Sequence, residues 1–434
     1  MDLEEFARLE ESFREFHAEF APAFGRKQWR ERSQDYLRGL LVQAAERGNA
    51  ENLSEVTHAS ERVLQRFLTE AKWDERAVLQ HLQTYLGPRL HDPEAVWAVD
   101  ESGFPKQGKK SVGVTRQYCG ALGKVAGCQV GVFLAYVSPR GRALVDGRLY
   151  LPREWTADPA RCDEAEVPPE PREYRSKSEL ALALLQQAQA WGQLTANWVT
   201  GDDEYGKSPE FRDGVAAAGL RYVLEVPGNT PVWPAAPTFE TAASAGRGRP
   251  PQPQPVAAER QEVREHRTAL PQEAWQELTV GEGAQGPRTY RFAFARVRES
   301  RDRHPGQELW LLHKENLDGT EPRTFFSNAP ADTPAATLAR VAMSRWPIET
   351  EFEADKSQVA LDEYEVRRWP GWHHHITMCL LASAFLLTLQ QAWGEKDAPG
   401  YPAASAPHRL RVAAAQALDP RRVAGLAAPH AGAQ

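Results

Sequence analysis

The sequence predicts an α/β fold: a mixed sheet core, preceded by a helical N-terminal domain and interrupted by a β-rich insertion. Three observations predict it. Apolar residues recur at three- and four-residue intervals from Leu3 to about Leu90, the period of helices with one buried stripe. At Ala95 the pattern changes to short apolar runs bounded by glycines, the mark of strands. Beyond Ser176, helical and strand patterns alternate, which calls for crossover connections and parallel neighbours.

In the first region Phe6, Leu9, Phe13, Phe16, Phe20 and Phe24 form the stripe, and Trp29, Tyr36, Leu37, Leu40, Leu41, Val63, Leu64, Phe67 and Leu68 continue it. A bundle packed on the main domain, with a possible DNA-binding role, is expected over residues 1–92. Val96-Trp-Ala-Val-Asp100 is a short run ending on an acid, and Gly103 to Lys110 reads as a basic turn. Val112 to Cys119 and Gly127 to Val137 read as strands. Asp146 to Arg172, rich in Pro and Arg, reads as an irregular excursion. Ser176 to Trp191 is a helix, Asn197 to Asp202 a strand ending on an acid, Ser208 to Ala218 a helix, and Arg221 to Val226 a strand.

Three strands, then helix, strand, helix, strand is the order of a ribonuclease H-like core. Tight turns pair strands antiparallel and crossovers pair them parallel, so the sheet is mixed. In that arrangement the first and fourth strands lie side by side, with Asp100 and Asp202 at neighbouring strand ends. Residues 93–232 form the first part of this core. Pro234 to Pro255 is rich in Pro, Ala, Gly and Gln, a loop within an insertion over 233–330. Strands are expected at Thr289 to Arg298, Glu308 to His313 and Thr324 to Phe326. The second part of the core, 331–394, holds helices from Thr333 to Met343, from near Pro347, and from His373 to Leu389. The Ala-, Pro- and Gly-rich remainder, 395–434, is expected to be weakly ordered.

With 434 residues and 41% hydrophobic content, the chain has room for two or three units. No run of eighteen or so consecutive apolar residues appears, and the start, Met1-Asp-Leu-Glu-Glu5, is acidic rather than a basic signal region. A cytoplasmic protein without a membrane partner is therefore expected. The four cysteines (Cys119, Cys128, Cys162, Cys379) form no Cys-x-x-Cys pair, which argues against a zinc site or disulfide framework. The net charge of −7 excludes a uniformly basic nucleic-acid binder but not a local basic groove.

Pro347 suits the first turn of a helix, where its missing N–H costs no hydrogen bond. From there Glu349 and Lys356, seven residues apart, are roughly 20° from register and share a face. Asp100, Asp202 and Glu349 make an oxygen-only set suited to Mg²⁺ or Mn²⁺. Two such ions, about 4 Å apart, can serve an in-line phosphoryl displacement. Side chains alternate along a strand, so Glu101 and Asp203 face away if Asp100 and Asp202 face the site. Glu353, one turn after Glu349, is the rival third ligand. Lys106, Lys109, Lys110, Arg116 and Lys124 follow Asp100; Arg345 and Lys356 flank Glu349, and Arg367 and Arg368 follow. Such groups can hold phosphates. Trp346, Trp369 and Trp372 read as packing residues. His373, His374 and His375 point in different directions on a helix and cannot converge on one ion. Gly201 to Gly206 lacks the Gly-Lys-Ser/Thr of a phosphate loop.

These residues resemble the DDE-type transposases of bacterial insertion sequences, in the branch whose third block reads Tyr-x2-Arg-x3-Glu-x6-Lys. Val99-Asp-Glu-Ser-Gly-Phe-Pro-Lys-Gln-Gly-Lys109 and Ser111-Val-Gly-Val-Thr-Arg-Gln-Tyr-Cys-Gly120 resemble the first block of the seven-hundred-and-one group. Thr200-Gly-Asp-Asp-Glu-Tyr-Gly206, Phe211-Arg212 and Tyr222-Val223 resemble the second. Arg345-Trp-Pro-Ile-Glu349, Phe352, Lys356, Leu361-Asp362, Tyr364, Val366-Arg367, Trp372 and His375 resemble the third. The resemblance runs from about residue 10 to about residue 390. It implies that Asp100, Asp202 and Glu349 hold two catalytic Mg²⁺ or Mn²⁺ ions. It implies that Arg345 and Lys356 grip DNA phosphates near the cut, while the clustered charges of Lys106, Lys109, Lys110 and Arg367 are expected to add DNA contacts. The partners it implies are double-stranded DNA at element ends and targets, and a second copy in a homodimer on DNA. A bacterial, nucleoid-associated location follows. The motif's Tyr falls at Ala342, a departure that bears on end binding more than on the metal site. A domesticated DNA-binding protein with weak or no activity is the alternative, and a stand-alone nuclease a third.

Overall fold

The computed structural model describes residues 3–43, 48–240, 254–256, 259–283, 286–393 and 414–419. They build a mixed α/β protein in two units, Met1–Ala196 with Trp346–Gln434, and Asn197–Arg345.

The first unit begins with five helices: α1 (Leu3–Phe20), α2 (Lys27–Gln43), α3 (Ala50–Glu55), α4 (Glu61–Thr69) and α5 (Glu75–Leu90). Asn49 and Asp74 cap α3 and α5 by accepting from backbone N–H groups of the first turn, which satisfies donors the helix leaves unpaired. Strands β1 (Val96–Pro105), β2 (Thr115–Cys119), β3 (Lys124–Ser138) and β4 (Gly141–Leu149) follow. Strand β3 pairs antiparallel with the other three. Short helices α6 (Arg153–Thr156) and α7 (Pro159–Glu164) lead to α8 (Lys177–Trp191). Ser176 and Glu179 close α8 with a reciprocal capping box.

Two expectations change here. Four strands precede α8, not three, because β4 occupies part of the supposed irregular excursion. It became a strand because Asp146, fully buried, receives both guanidinium nitrogens of Arg76 from α5, at 2.6 and 2.8 Å. Strand β1 also runs on through Gly103 and Phe104 to Pro105, where a turn was expected. Asp100 therefore lies mid-strand rather than at a strand end.

The second unit is one continuous stretch of chain. Strand β5 (Trp198–Gly201), α9 (Asp203–Gly206), α10 (Pro209–Ala217) and β6 (Arg221–Glu225) form a crossover, and β5 and β6 pair in parallel as anticipated. Strands β7 (Pro231–Trp233), β8 (Thr238–Glu240), β9 (Gln254–Val256), β10 (Gln261–Glu262), helix α11 (Val263–Ala269), and strands β11 (Trp275–Gly283), β12 (Gly286–Arg301), β13 (His304–Glu315) and β14 (Arg323–Ser327) follow. The order within this unit is β10-β7-β12-β13-β14-β6-β5, with β11 on β12 and β8 with β9 apart. Its other pairings are antiparallel. Residues 241–253 of the expected loop lie outside the described residues. Helix α12 (Ala335–Met343) closes the unit.

The chain then re-enters the first unit with α13 (Trp346–Val359) and α14 (Trp369–Trp393). Helix α14 packs on β4 and α13 and against α2, α4 and α5. Phe13, Phe16, Phe20 and Phe24 of the N-terminal stripe are buried. Phe385 of α14 lies 5.7 Å from Phe13 and 5.2 Å from Phe16. Each such ring removed from water stabilises the unit by about 1.5–3 kcal/mol. The three histidines go to separate partners: His373 Nδ1 donates to Trp369 O, His374 Nδ1 to Leu68 O, and His375 Nε2 to Ala360 O while Nδ1 accepts from Tyr36 Oη. Burial lowers all three, His374 to about 4 and His375 to about 3, so they are neutral packing groups. Trp369–Ala392 is long and apolar enough to span a membrane, but 67% of that window is buried within the protein, as suits a core helix. Of the segment 395–434, only 414–419 falls within the described residues.

Candidate functional site

Asp100 and Glu349 both belong to the first unit, and strand register decides which way Asp100 points. Glu101 reaches Lys177 at the start of α8, with 2.5 Å between charges. Alternation sends Asp100 to the opposite face of β1. Its cross-strand partner there is Phe133, and facing residues of an antiparallel pair share a side. Phe133 packs on Phe352 of α13, ring centroids 5.2 Å apart, and on Trp372 of α14 at 6.3 Å. The face of Asp100 is thus the face that α13 covers. Lys356 supplies a second link: its Nζ lies 6.0 Å from the ring of Phe104, which follows Asp100 by four positions on that face. Asp100 is only 7% exposed, with Oδ1 accepting from the Glu101 N–H at 2.8 Å.

Helix α13 buries Ile348, Phe352, Asp355 and Val359, one stripe by helical period. Glu349 lies roughly 90° from the centre of that stripe and Glu353 roughly 130°. Both are exposed, but Glu349 sits nearer the sheet, on the flank shared with Lys356.

In the second unit Asp202 leaves the C-terminal end of β5. Its side chain caps α9, with Oδ1 accepting from Glu204 N at 3.0 Å. Gly201 stands opposite Leu224 in the parallel register, so Asp202 emerges beside Glu225 at the end of β6. Glu225 draws cations: Arg323 Nη1 at 2.6 Å and Arg345 Nε at 3.9 Å. Arg345 therefore shares this strand-end neighbourhood with Asp202.

Asp100, Asp202 and Glu349 are all carboxylates, oxygen groups of the kind that suit hard cations. Among the described residues of either unit alone, no three His, Cys, Asp or Glu side chains gather closely enough to hold an ion.

The other basic residues divide. Lys109, Lys110 and Arg367 are exposed, and a hydrogen bond from Val112 N to Arg367 O at 2.8 Å holds their two segments together. Lys106 is turned inward: Nζ donates to Tyr364 O at 2.7 Å and lies 3.5 Å from that residue's ring centroid. Burial brings its ammonium down to about 8, against the pull of Asp362, Glu365 and Glu363. Trp346 differs from the expectation. It is 54% exposed at the first residue of α13, because the inward stripe begins at Ile348, whereas Trp369 and Trp372 are buried.

Sequence reading missed an acidic pair on the inward side of α13. Asp355 is 2% exposed, and its Oδ2 has no hydrogen-bond donor. Glu351, one turn earlier, accepts from Arg142 Nε at 2.9 Å and from Ser383 Oγ at 3.4 Å. Burial, then the charge of Glu351, raises the Asp355 carboxyl well above its usual range. Burial likewise raises Glu351, with Arg142 opposing. The signal was present, since Asp355 falls three residues after Phe352 on the apolar stripe. A carboxyl raised in the folded state contributes stability below the usual carboxylate range and loses it as pH rises through the raised value. Asp355→Asn is therefore expected to stabilise the protein at about pH 8 by on the order of 1–3 kcal/mol, the usual cost of an unsatisfied buried polar group. The gain should shrink towards about pH 4, as thermal melts across that range would read.

A family model described as DDE superfamily endonuclease matches residues 19–287, a span that contains Asp100 and Asp202 and ends before Glu349. A protein of Microchaete diplosiphon, the probable transposase for insertion sequence element IS701, is 31% identical over 173 residues. The match takes in 38% of this chain and 40% of that relative, so the chain spans about two fifths of that relative's length. A solved structure, the piggyBac transposase synaptic complex with hairpin DNA, aligns with a TM-score of 0.42 at 10% identity, over 92% of this chain and 73% of that one.

Proposed function

The chain belongs to the DDE superfamily endonuclease family, and from that premise we propose that it is a transposase, cutting DNA at insertion-sequence ends and joining those ends to target DNA. The observation that carries the reading is the packing of α13 on the face of β1 that bears Asp100, through Phe133 and Phe352. It supports reading Asp100 and Glu349 as groups on a common side of one sheet.

Asp100, Asp202 and Glu349 would hold two Mg²⁺ or Mn²⁺ ions. Such ions, when bound, activate a water or 3′-hydroxyl and stabilise the leaving oxygen of an in-line phosphoryl displacement. Arg345 and Lys356 bind and orient the phosphate near the cut. Lys109, Lys110 and Arg367 grip the duplex backbone through charge, independent of sequence. Lys106 supports them from within by fastening its loop to Tyr364. A homodimer would hold two ends at once. The core is read as ribonuclease H-like, residues 93–232 with 331–394, around an insertion at 233–330 and behind a helical domain at 1–92. The antiparallel β1–β3 pair and the parallel β5–β6 crossover support that reading. Double-stranded DNA as partner places the protein in the cytoplasm, on the nucleoid.

A domesticated DNA-binding role is the second reading, favoured by one observation. Ala342 stands where the branch has Tyr, and it is buried on α12, with no phenol to offer a phosphate.

The test is Mg²⁺-dependent nicking of a plasmid carrying the element's ends, wild type against Asp202→Asn. Asparagine is as good an N-cap as aspartate, so α9 keeps its cap while the metal ligand loses its charge. Nicking by the wild type and not by the variant is the expected result. Equal nicking by both proteins would remove Asp202 from the site, and binding without nicking by either would favour the domesticated reading.

A further inference from the structure

The hairpin of β2 and β3 carries an unusual surface. Among the described residues five large apolar side chains are exposed, and three lie here: Tyr118 at 64%, Val125 at 55% and Leu122 at 46%. Tyr118 and Val125 are direct cross-strand partners, so they share a face. Arg116, two residues before Tyr118, is on that face too, opposite Gly127, which has no side chain to cover it. The other face is buried through Cys119 and Cys128. Leu122 and Lys124 flank the turn at the tip, and Lys124 is exposed.

The charge around the hairpin is one-sided. No Asp or Glu occurs along the hairpin itself, from Thr115 through Gly127, while Arg116 and Lys124 do, in a chain of net charge −7. A second copy of this face would bring like charges together, which disfavours self-pairing. A polyanion with flat apolar surfaces suits it better. Duplex DNA hides those surfaces in its stack, whereas an unpaired base offers a face to an aromatic ring.

We propose that the β2–β3 hairpin binds DNA at unpaired bases, with Tyr118 stacking on a base, Val125 and Leu122 covering its edge, and Arg116 holding an adjacent phosphate. The proposal rests on the DNA-processing reading above and adds a structural preference to it. Such a preference would let the hairpin recognise DNA whose pairing has been opened.

The test measures binding of the full chain to a labelled perfect duplex and to the same duplex with an unpaired bulge. Wild type is expected to prefer the bulged probe. Tyr118→Ala should weaken binding to the bulged probe about 10-fold, within the range for one lost stacking contact, and leave the perfect duplex nearly unchanged. Arg116→Ala should weaken both probes and lower the salt dependence by about one phosphate contact. Exposure of both positions means that melting temperatures should stay at the wild-type value. Equal binding of the bulged probe by wild type and Tyr118→Ala would overturn the proposal and leave the DNA-processing reading standing. Loss of self-association in Tyr118→Ala, without change in DNA binding, would overturn it in favour of an interface between copies. Failure of the wild type to bind either probe would overturn the hairpin proposal and the parent reading together.

Discussion

Glu349→Gln is expected to abolish Mg²⁺-dependent nicking, a loss of about 10³-fold or more, while Glu353→Gln changes it only a few-fold. The size follows from the several kcal/mol that a bound cation contributes to the transition state. The contrast follows from helix α13. Its buried stripe fixes the rotation of the helix, and Phe352 against Phe133 fixes where that stripe meets the sheet. Glu349 then lies on the flank beside the sheet, and Glu353 is turned roughly 40° further towards solvent. Lys356, on the same flank as Glu349, already reaches over Phe104, so that flank does overlie the face of Asp100. Both glutamates are exposed, and glutamine keeps their size and helix propensity, so neither change should disturb folding. Single-turnover nicking of the two variants side by side would decide the matter. Full activity in Glu349→Gln with none in Glu353→Gln would transfer the third carboxylate to Glu353.

The second large effect is on folding. Gly206 ends α9 beside the last residue of β6, and a Cβ there would stand 1.7 Å from Glu225 O and 2.8 Å from Glu225 C. Those atoms belong to a strand paired on both sides, with β5 and with β14, so they cannot yield as a side-chain tip can. Gly206→Ala is therefore expected to destabilise the second unit by on the order of 3 kcal/mol, as overpacking in a rigid setting does. It would also move α9 and its cap Asp202 away from the strand ends. Gly228→Ala is the control, because its Cβ would meet nothing nearer than Arg264 Cβ at 3.6 Å; a change within about 0.5 kcal/mol is expected there. Urea unfolding of the two variants would measure both, and similar midpoints would show that the close approach is not rigid.

Much of the fold is legible in local pattern. The phenylalanine stripe of α1, the capped helix α8, the β5–α10–β6 crossover and the apolar α14 each announce themselves through period and punctuation. What escapes is structure that depends on distant partners. Strand β4 contains Asp146-Gly147, which reads as a turn; Arg76, seventy residues earlier, pairs with the acid in the buried strand. Strand β1 continues past Asp100 because β3 pairs with it along its whole length, a fact no local window contains. Trp346 reads as a packing residue by type, and the rotation of α13 leaves it largely exposed. Lys106 was counted with its exposed neighbours, yet Tyr364 draws it in. For the site, residue types and order were readable, as was the sharing of a face by Glu349 and Lys356. The direction of Asp100 needed the register of β1 and β3.

The order in which the chain is made gives the burial of α14 a further meaning. Helices α1–α5 leave the ribosome well before α14, with Phe13 and Phe16 awaiting Phe385 on that helix. The second unit, Asn197–Arg345, is continuous and can complete its fold in the interval. The first unit cannot, because the peg of Tyr36 on His375 and the packing of Phe13 and Phe16 on Phe385 wait for α14. During synthesis, therefore, the N-terminal helices present an apolar surface for the time it takes to translate some three hundred residues, and holdase chaperones are their natural cover. A segment made early is among the last to find its place.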